Sequence, residues 1–330
     1  MSFKEPEMLN PMLDAWTSMA QSSPWELDPF RFSISLLAPA PAAEPGNFVA
    51  DRFVADFGSL RYKLFIPSEY DGAPLPLIVM LHGCGQDADD FACGTGMNAL
   101  AEKYHCLVAY PEQSSCANGA RCWNWFEEAH HHRGQGEPAL IAGVATKIMS
   151  DYAVDAGKVF VAGLSSGGAM AVILGRTYPD LFTAVGCHSG LAHGAATDRF
   201  GAMQAMRHGA DVDQLRSMQA ADSVPIIVFH GDLDSTVHPK NGGRIVEQSM
   251  HARAAHDASQ EIGEATGRTF TRDIHRSKSG AILAEQWTVH GAGHAWSGGS
   301  RRGSYTDANG PDASEEMLRF FIQRQPAEAA

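Results

Sequence analysis

The chain has 330 residues, 44% of them apolar and 19% charged, which excludes a disordered chain and allows one large α/β domain or two smaller ones. Its 25 Lys and Arg against 38 Asp and Glu leave a net charge of −13, so neither nucleic acid nor an anionic membrane surface is an expected partner. No run reaches the roughly 18 apolar residues of a membrane span, and Met1–Gln21 lacks the apolar stretch of a secretory signal, so the cytoplasm is the expected location.

Residues 1–48 read as an N-terminal extension with a loosely helical Met8–Met19, closed by the Ala-Pro-rich linker Leu37–Gly46; residues 49–330 read as the main domain. Arg52–Phe57 and Leu60–Pro67 predict a strand pair about a Gly58-Ser59 turn. Leu75–Leu81, Cys106–Tyr110, Val159–Ala162, Phe182–Cys187 and Pro225–Phe229 are short, continuous apolar runs, the pattern of parallel strands buried on both faces. Helical spacing falls between them, at Asp89–Tyr104, Pro138–Tyr152 and Ala169–Tyr178. Ser114–Gly136 is a long polar loop. Gly243–Ala258 predicts a helix, Arg268–His275 and Ala281–Val289 strands, and Asp312–Gln323 a last helix. Strands alternating with helices imply a doubly wound, mostly parallel α/β sheet with helices on both faces.

Six cysteines do not make a disulfide scaffold; Cys116 and Cys122 are near enough in sequence to pair in an oxidising compartment and stay thiols in a reducing one.

The strongest motif is Gly163-Leu164-Ser165-Ser166-Gly167, between a strand-like and a helical segment. A strand turning sharply into a helix holds its serine exposed and needs small residues on either side. A serine hydroxyl is a weak nucleophile and needs a base, which needs an orienting acid. In α/β-hydrolases these follow in the order serine, acid, histidine. The acid is expected in His230-Gly231-Asp232-Leu233-Asp234; the turn H-G-x-x-D-x-x-V resembles the acid-bearing loop of those hydrolases, which favours Asp234 and leaves Asp232 to cap backbone amides. Of His275, His290 and His294, the last lies on a glycine-rich loop before the final helix and is the expected base. His130–His132 precede Ser165, break that order and read as a solvated surface rather than a metal site. An oxyanion hole needs two backbone amides: Ser166, following the nucleophile, and Cys84 in the His82-Gly83-Cys84 loop, where the thiol itself is incidental. No metal or cofactor is called for.

The segments LHGCGQDADDFACGTGMNALAEKY, VAYPEQ, CWNWF, VFVAGLSSGG, HGDLDSTVHPKNG and GAGHAWSGGS resemble the polyhydroxybutyrate depolymerase-like esterases, a family allied with feruloyl and acetylxylan esterases. The resemblance covers about Asp51–Gln323. It implies an α/β-hydrolase fold, Ser165, Asp234 and His294 as a catalytic triad, and the Cys84 and Ser166 amides as the oxyanion hole. Ser166 stands where alanine is frequent, Gly85 where threonine is common, and Cys116 is unexpected. Trp123, Trp125 and Trp296 lie on loops that surround the site in a doubly wound sheet, where they would bind substrate. The expected activity is a serine carboxylesterase acting on short hydroxyalkanoate or similar small or oligomeric esters. The alternatives are a feruloyl or acetylxylan esterase, a peptidase of the same fold, and a catalytically silent binding protein, which would be expected to lack a triad member.

Overall fold

The computed structural model describes residues 45–211, 215, 224–251 and 257–322. The N-terminal helix and linker expected before residue 45 lie outside the described residues. A hairpin comes first, β1 (Gly46–Ala55) and β2 (Gly58–Pro67), with Ala55 opposite Gly58. Its turn is therefore Asp56-Phe57, two residues before the expected Gly58-Ser59. Gly46–Phe48, read as the end of the linker, are already strand. There follow β3 (Leu75–Leu81), α1 (Ala88–Thr95), α2 (Met97–Tyr104), β4 (Leu107–Glu112), α3 (Gly136–Asp151), β5 (Val154–Leu164), α4 (Ser166–Thr177) and β6 (Ala184–His188). The second half holds α5 (Arg199–His208), β7 (Ile226–Gly231), α6 (Lys240–Met250), β8 (Asp257–Ala265), β9 (Arg268–Arg276), β10 (Ile282–Val289), the short strands β11 (Trp296–Ser297) and β12 (Thr306–Asp307), and α7 (Ala313–Ile322).

Ten strands form one sheet in the order β1-β2-β4-β3-β5-β6-β7-β10-β9-β8. The central six, β4 to β10, run parallel, and antiparallel hairpins finish both edges. The apolar runs supply the centre: Leu77–Leu81, Leu107–Tyr110, Val159–Ala162 and Ile227–Phe229 are all fully or almost fully buried. Strands covered on both faces need no polar alternation, which is why they read as unbroken apolar stretches. The single helix expected over Asp89–Tyr104 is two, because Gly96 takes a left-handed conformation (φ 64°), closing α1 and starting α2. β8 was not expected; its nine residues, DASQEIGEA, are almost all exposed, so no apolar signal marks them.

All the parallel strands present their carboxyl ends, and the loops that follow, at one edge of the sheet. Beneath that edge Glu285 on β10 is completely buried. It accepts from Arg272 (2.8 Å), Arg319 (2.7 Å) and the Trp287 indole (3.2 Å), joining β9, β10 and α7. Removing one partner of a buried ion pair leaves the remaining charges unpaired and typically costs about 3–5 kcal/mol. Glu285→Ala is therefore expected to lower unfolding free energy by about that amount in a urea melt, and Glu285→Gln, which keeps acceptor and donor atoms, by less.

Candidate active site

Ser165 sits between β5 and α4 with φ 57° and ψ −118°, a conformation unfavourable for a residue with a β carbon. The crossing at this elbow is very close. A β carbon on Gly167 would lie 2.1 Å from the Leu81 carbonyl oxygen, and one on Gly163 would lie 2.4 Å from the Gly167 carbonyl carbon. The two glycines of the motif are thus required by the approach of α4 to the ends of β3 and β5. The Ser165 amide donates to the His188 carbonyl at the end of β6 (2.9 Å). Ser166 opens α4, so its amide belongs to the first turn, whose N–H groups have no partner within the helix.

The loop after β3, His82–Gln86, lies against this elbow: Cys84 Sγ is 3.3 Å from Ser166 Oγ. Cys84 forms a disulfide with Cys122, and Cys116 is a free, exposed cysteine. Both expectations for these thiols are corrected: Cys122 pairs with Cys84 rather than Cys116, and the Cys84 sulfur is a structural link between the β3 loop and the long loop after β4. Three hydrogen bonds reinforce that link. Gly85 N donates to Ala120 O (2.8 Å), the Trp123 indole to His82 O (3.1 Å), and Gln113 N to His82 Nε2 (3.1 Å). His82 is wholly buried, and burial, opposed in part by its bond to the Gly83 carbonyl, pushes its pKa down to about 4.

Asp234 and His294 meet. His294 Nδ1 donates to Asp234 Oδ2 (2.7 Å), which holds the imidazole proton on Nδ1 and leaves Nε2 as the basic nitrogen. Asp234 Oδ1 accepts the Thr236 and Val237 amides (2.9 and 2.8 Å), and His230 Nε2 lies 3.3 Å from Oδ2. Burial would raise the Asp234 pKa, but the hydrogen bonds from His230 and His294 and their charge outweigh it and hold the carboxyl well below the ordinary carboxylate range. The rival residues pair with one another instead. His290 Nδ1 contacts Asp232 Oδ2 (2.9 Å), His290 Nε2 contacts Thr271 Oγ1 (2.9 Å), and Asp232 also accepts the Gly291 amide (2.7 Å).

The three tryptophans expected to bind substrate are packed inside. Trp123 is 0%, Trp125 2% and Trp296 1% exposed. Trp125 meets Phe126 edge-on. Trp296 stacks on His188 (5.3 Å between ring centres), meets Phe91 edge-on, and donates its indole N–H to Ser314 Oγ (3.0 Å). With its ring enclosed and its one polar atom used inside the protein, Trp296 pins the His294 loop rather than walling a substrate pocket. The histidine run is corrected too: His130 and His131 are buried, donating from Nδ1 and Nε2 to the Asn124 and Ala196 carbonyls, and only His132 is exposed. Among the described residues no group of three His, Cys, Asp or Glu could hold a metal ion.

Sequence reasoning passed over His188 and His230. Each ends or nearly ends a buried apolar run, Ala184–His188 and Ile226–Gly231, where a polar residue at the carboxyl end of a parallel strand faces the functional edge.

A sequence model of the family described as Esterase PHB depolymerase matches residues 60–269. The chain belongs to that esterase family. Poly(3-hydroxyalkanoate) depolymerase C of Paucimonas lemoignei is 32% identical over 276 residues, 79% of this chain and 66% of that protein. Feruloyl esterase B of Neurospora crassa is 27% identical over 306 residues, 87% of this chain and 97% of that one. The acetyl xylan esterase from Aspergillus awamori shares the fold, with a TM-score of 0.66 at 20% identity over 83% of this chain and 98% of that chain. The α/β-hydrolase architecture of a PHB-depolymerase-type esterase is thus the one expected from the sequence.

Trp296→Ala should therefore lower rates on acetyl, hydroxybutyryl and feruloyl esters by similar factors, and cost about 3–5 kcal/mol of stability, the usual loss for a buried large aromatic. A second expectation concerns pH. His82 and His188 are buried with pKa values lowered to about 4 and about 3, against about 6.5 in the unfolded chain. The unfolded state then binds more protons below pH 6.5, so their contribution is intact above about 6.5 and declines as pH falls toward 4. Thermal melts between pH 8 and 4.5 should show this loss.

Proposed function

We propose that the protein is a serine carboxylesterase that hydrolyses short-chain hydroxyalkanoate esters, with Ser165 as nucleophile, His294 as general base and acid, and Asp234 as the orienting carboxylate. The observation that carries this reading is the buried Asp234–His294 hydrogen bond (2.7 Å), on loops leaving the same sheet edge as the strained Ser165 elbow. His294 Nε2 takes the proton of Ser165 Oγ as the oxygen attacks the ester carbonyl carbon. The carbonyl electron pair moves to oxygen, and the amides of Cys84 and Ser166 are the proposed donors to it. Collapse breaks the bond to the alcohol oxygen, which leaves with the proton from His294. Water repeats the sequence on the acyl-serine, releasing the acid and restoring the serine. Asp234, ionised across the neutral range, stabilises the imidazolium in both halves.

The contact between Cys84 and Ser166 supports the pairing of their amides, because it brings the β3 loop onto the first turn of the helix that follows Ser165. A feruloyl ester is the second reading, favoured by the 97% coverage of feruloyl esterase B. The Cys84–Cys122 pair also bears on location: disulfides persist in oxidising compartments, so action in the cytoplasm, expected from the N-terminus, would leave both as thiols.

Purified protein offered p-nitrophenyl esters, hydroxybutyrate oligomers, methyl ferulate and acetylated xylan should prefer the hydroxybutyrate oligomers; strongest turnover of methyl ferulate would select the second reading. Ser165→Ala should fold normally and lose about 10³-fold or more in kcat. Asp234→Asn should cost far more activity than Asp232→Asn. Retention of a tenth of wild-type rate by Ser165→Ala would end the assignment.

The disulfide closes a loop spanning 38 positions. Reduction with a thiol, or Cys84→Ala with Cys122→Ala, should lower stability by about 2–4 kcal/mol. It should reduce kcat more than it raises KM, because a loosened Cys84 amide weakens binding of the transition state more than that of the ester.

A further inference from the structure

We propose that His188 is a positioning residue for ester hydrolysis, one residue whose carbonyl holds the serine loop and whose ring nitrogen holds the histidine loop. The proposal rests on the serine-esterase reading above. β6 lies between β5 and β7, so His188, its last residue, stands between the strand that leads to Ser165 and the strand that leads to Asp234. Its carbonyl accepts the Ser165 amide at 2.9 Å. Its ring Nε2 accepts the Ser297 amide at 3.0 Å, three residues beyond His294.

An amide N–H can only donate, so Nε2 carries no proton and the ring proton is on Nδ1, from which it points to Ser189 Oγ (3.1 Å). The ring is stacked on Phe229 of β7 (5.8 Å, 15° between planes) and on Trp296 (5.3 Å, 26°). His188 thus touches the supports of all three proposed catalytic side chains while remaining 1% exposed itself.

An aromatic hydrocarbon would fill the same slot and stack as well, so packing alone does not call for histidine. What only the imidazole adds is an uncharged acceptor for the Ser297 amide. A buried N–H left without a partner costs about 1–3 kcal/mol, and the loop would relieve that cost by moving. Burial is the main reason that the ring keeps its acceptor, because it pushes the His188 pKa down to about 3. The charges of His230 and His294 act in the same direction and that of Asp234 opposes them.

The test is steady-state hydrolysis of p-nitrophenyl butyrate by wild type, His188→Phe and His188→Gln. Phenylalanine keeps the stacking and removes the acceptor; glutamine keeps an acceptor oxygen near the position of Nε2. His188→Phe is expected to lose about 10- to 100-fold in kcat with KM little changed, the scale on which an ångström of misplacement acts. His188→Gln is expected to recover most of that loss. A kcat for His188→Phe within about twofold of wild type, or a glutamine variant no better than phenylalanine, overturns the proposal. Nitrogen-15 NMR of the histidines in the intact wild-type chain gives a readout that needs neither variant to fold. A proton on Nδ1 and an unprotonated Nε2 at His188, unchanged from pH 5 to 8, is expected; a proton on Nε2, or titration in that range, overturns it. If wild type hydrolyses no ester the functional reading falls, whereas an active wild type indifferent to His188→Phe removes only the role assigned here.

Discussion

The backbone crossing at the serine elbow governs how the rest of the site is assembled. β5 ends against β3 with Gly163 opposite Leu81, and α4 leaves at once, bringing Gly167 onto the Leu81 and His82 carbonyls. Any side chain at Gly163 or Gly167 would separate those backbones. Because they can touch, the β3 loop comes to rest beside Ser166, the residue that follows the strained serine. The strain at Ser165 is held by neighbours on both sides, through the Ser165 amide on His188 and the Ala169 amide on the Ser165 carbonyl. Strained residues persist only where the surrounding structure over-determines them in this way.

Among the buried groups behind the site, Asp234 is held as an anion while His82 and His188 are held uncharged. Asp234 stays ionised because four donors, two of them backbone amides, face its two oxygens. His82 and His188 stay neutral because burial disfavours their charged forms, and each uses its unprotonated Nε2 to accept a backbone amide from another loop. The same burial therefore has opposite structural uses. It leaves the histidines free to act as acceptors, and it makes the hydrogen bonds to the carboxylate stronger than they would be in water.

The long loop after β4 owes its form to the site rather than to an apolar core of its own. It is fastened by the Cys84–Cys122 bond, by the Trp123 indole on His82, and by the buried Glu137, which takes the Asn124 amide at 2.8 Å. The aromatic residues that seemed suited to meeting substrate serve as anchors here. A tryptophan offers one apolar body and one donor, and in a loop rich in polar backbone groups the donor is satisfied most readily by a nearby carbonyl.

The parallel centre of the sheet was legible in the sequence because strands covered on both faces must be apolar throughout, and Leu75–Leu81 or Ile226–Phe229 admit few other readings. The serine elbow was legible because its glycines answer a local steric demand. The choice of Asp234 over Asp232 rested on a resemblance in the acid loop; in the structure Asp234 bonds His294 (2.7 Å) and Asp232 bonds His290 (2.9 Å). Exposed β8 carried no periodic signal, and the Gly96 break depended on a left-handed turn that a tolerated helix glycine does not announce. The partner of Cys122, the inward turn of Trp296 and the acceptor role of His188 joined residues 38, 18 and 109 positions from their counterparts. Local pattern reports which face of an element is apolar and where the chain must bend. Which distant donor meets which acceptor is decided only when the strands are laid side by side, because the energy of those contacts depends on burial that no segment has alone.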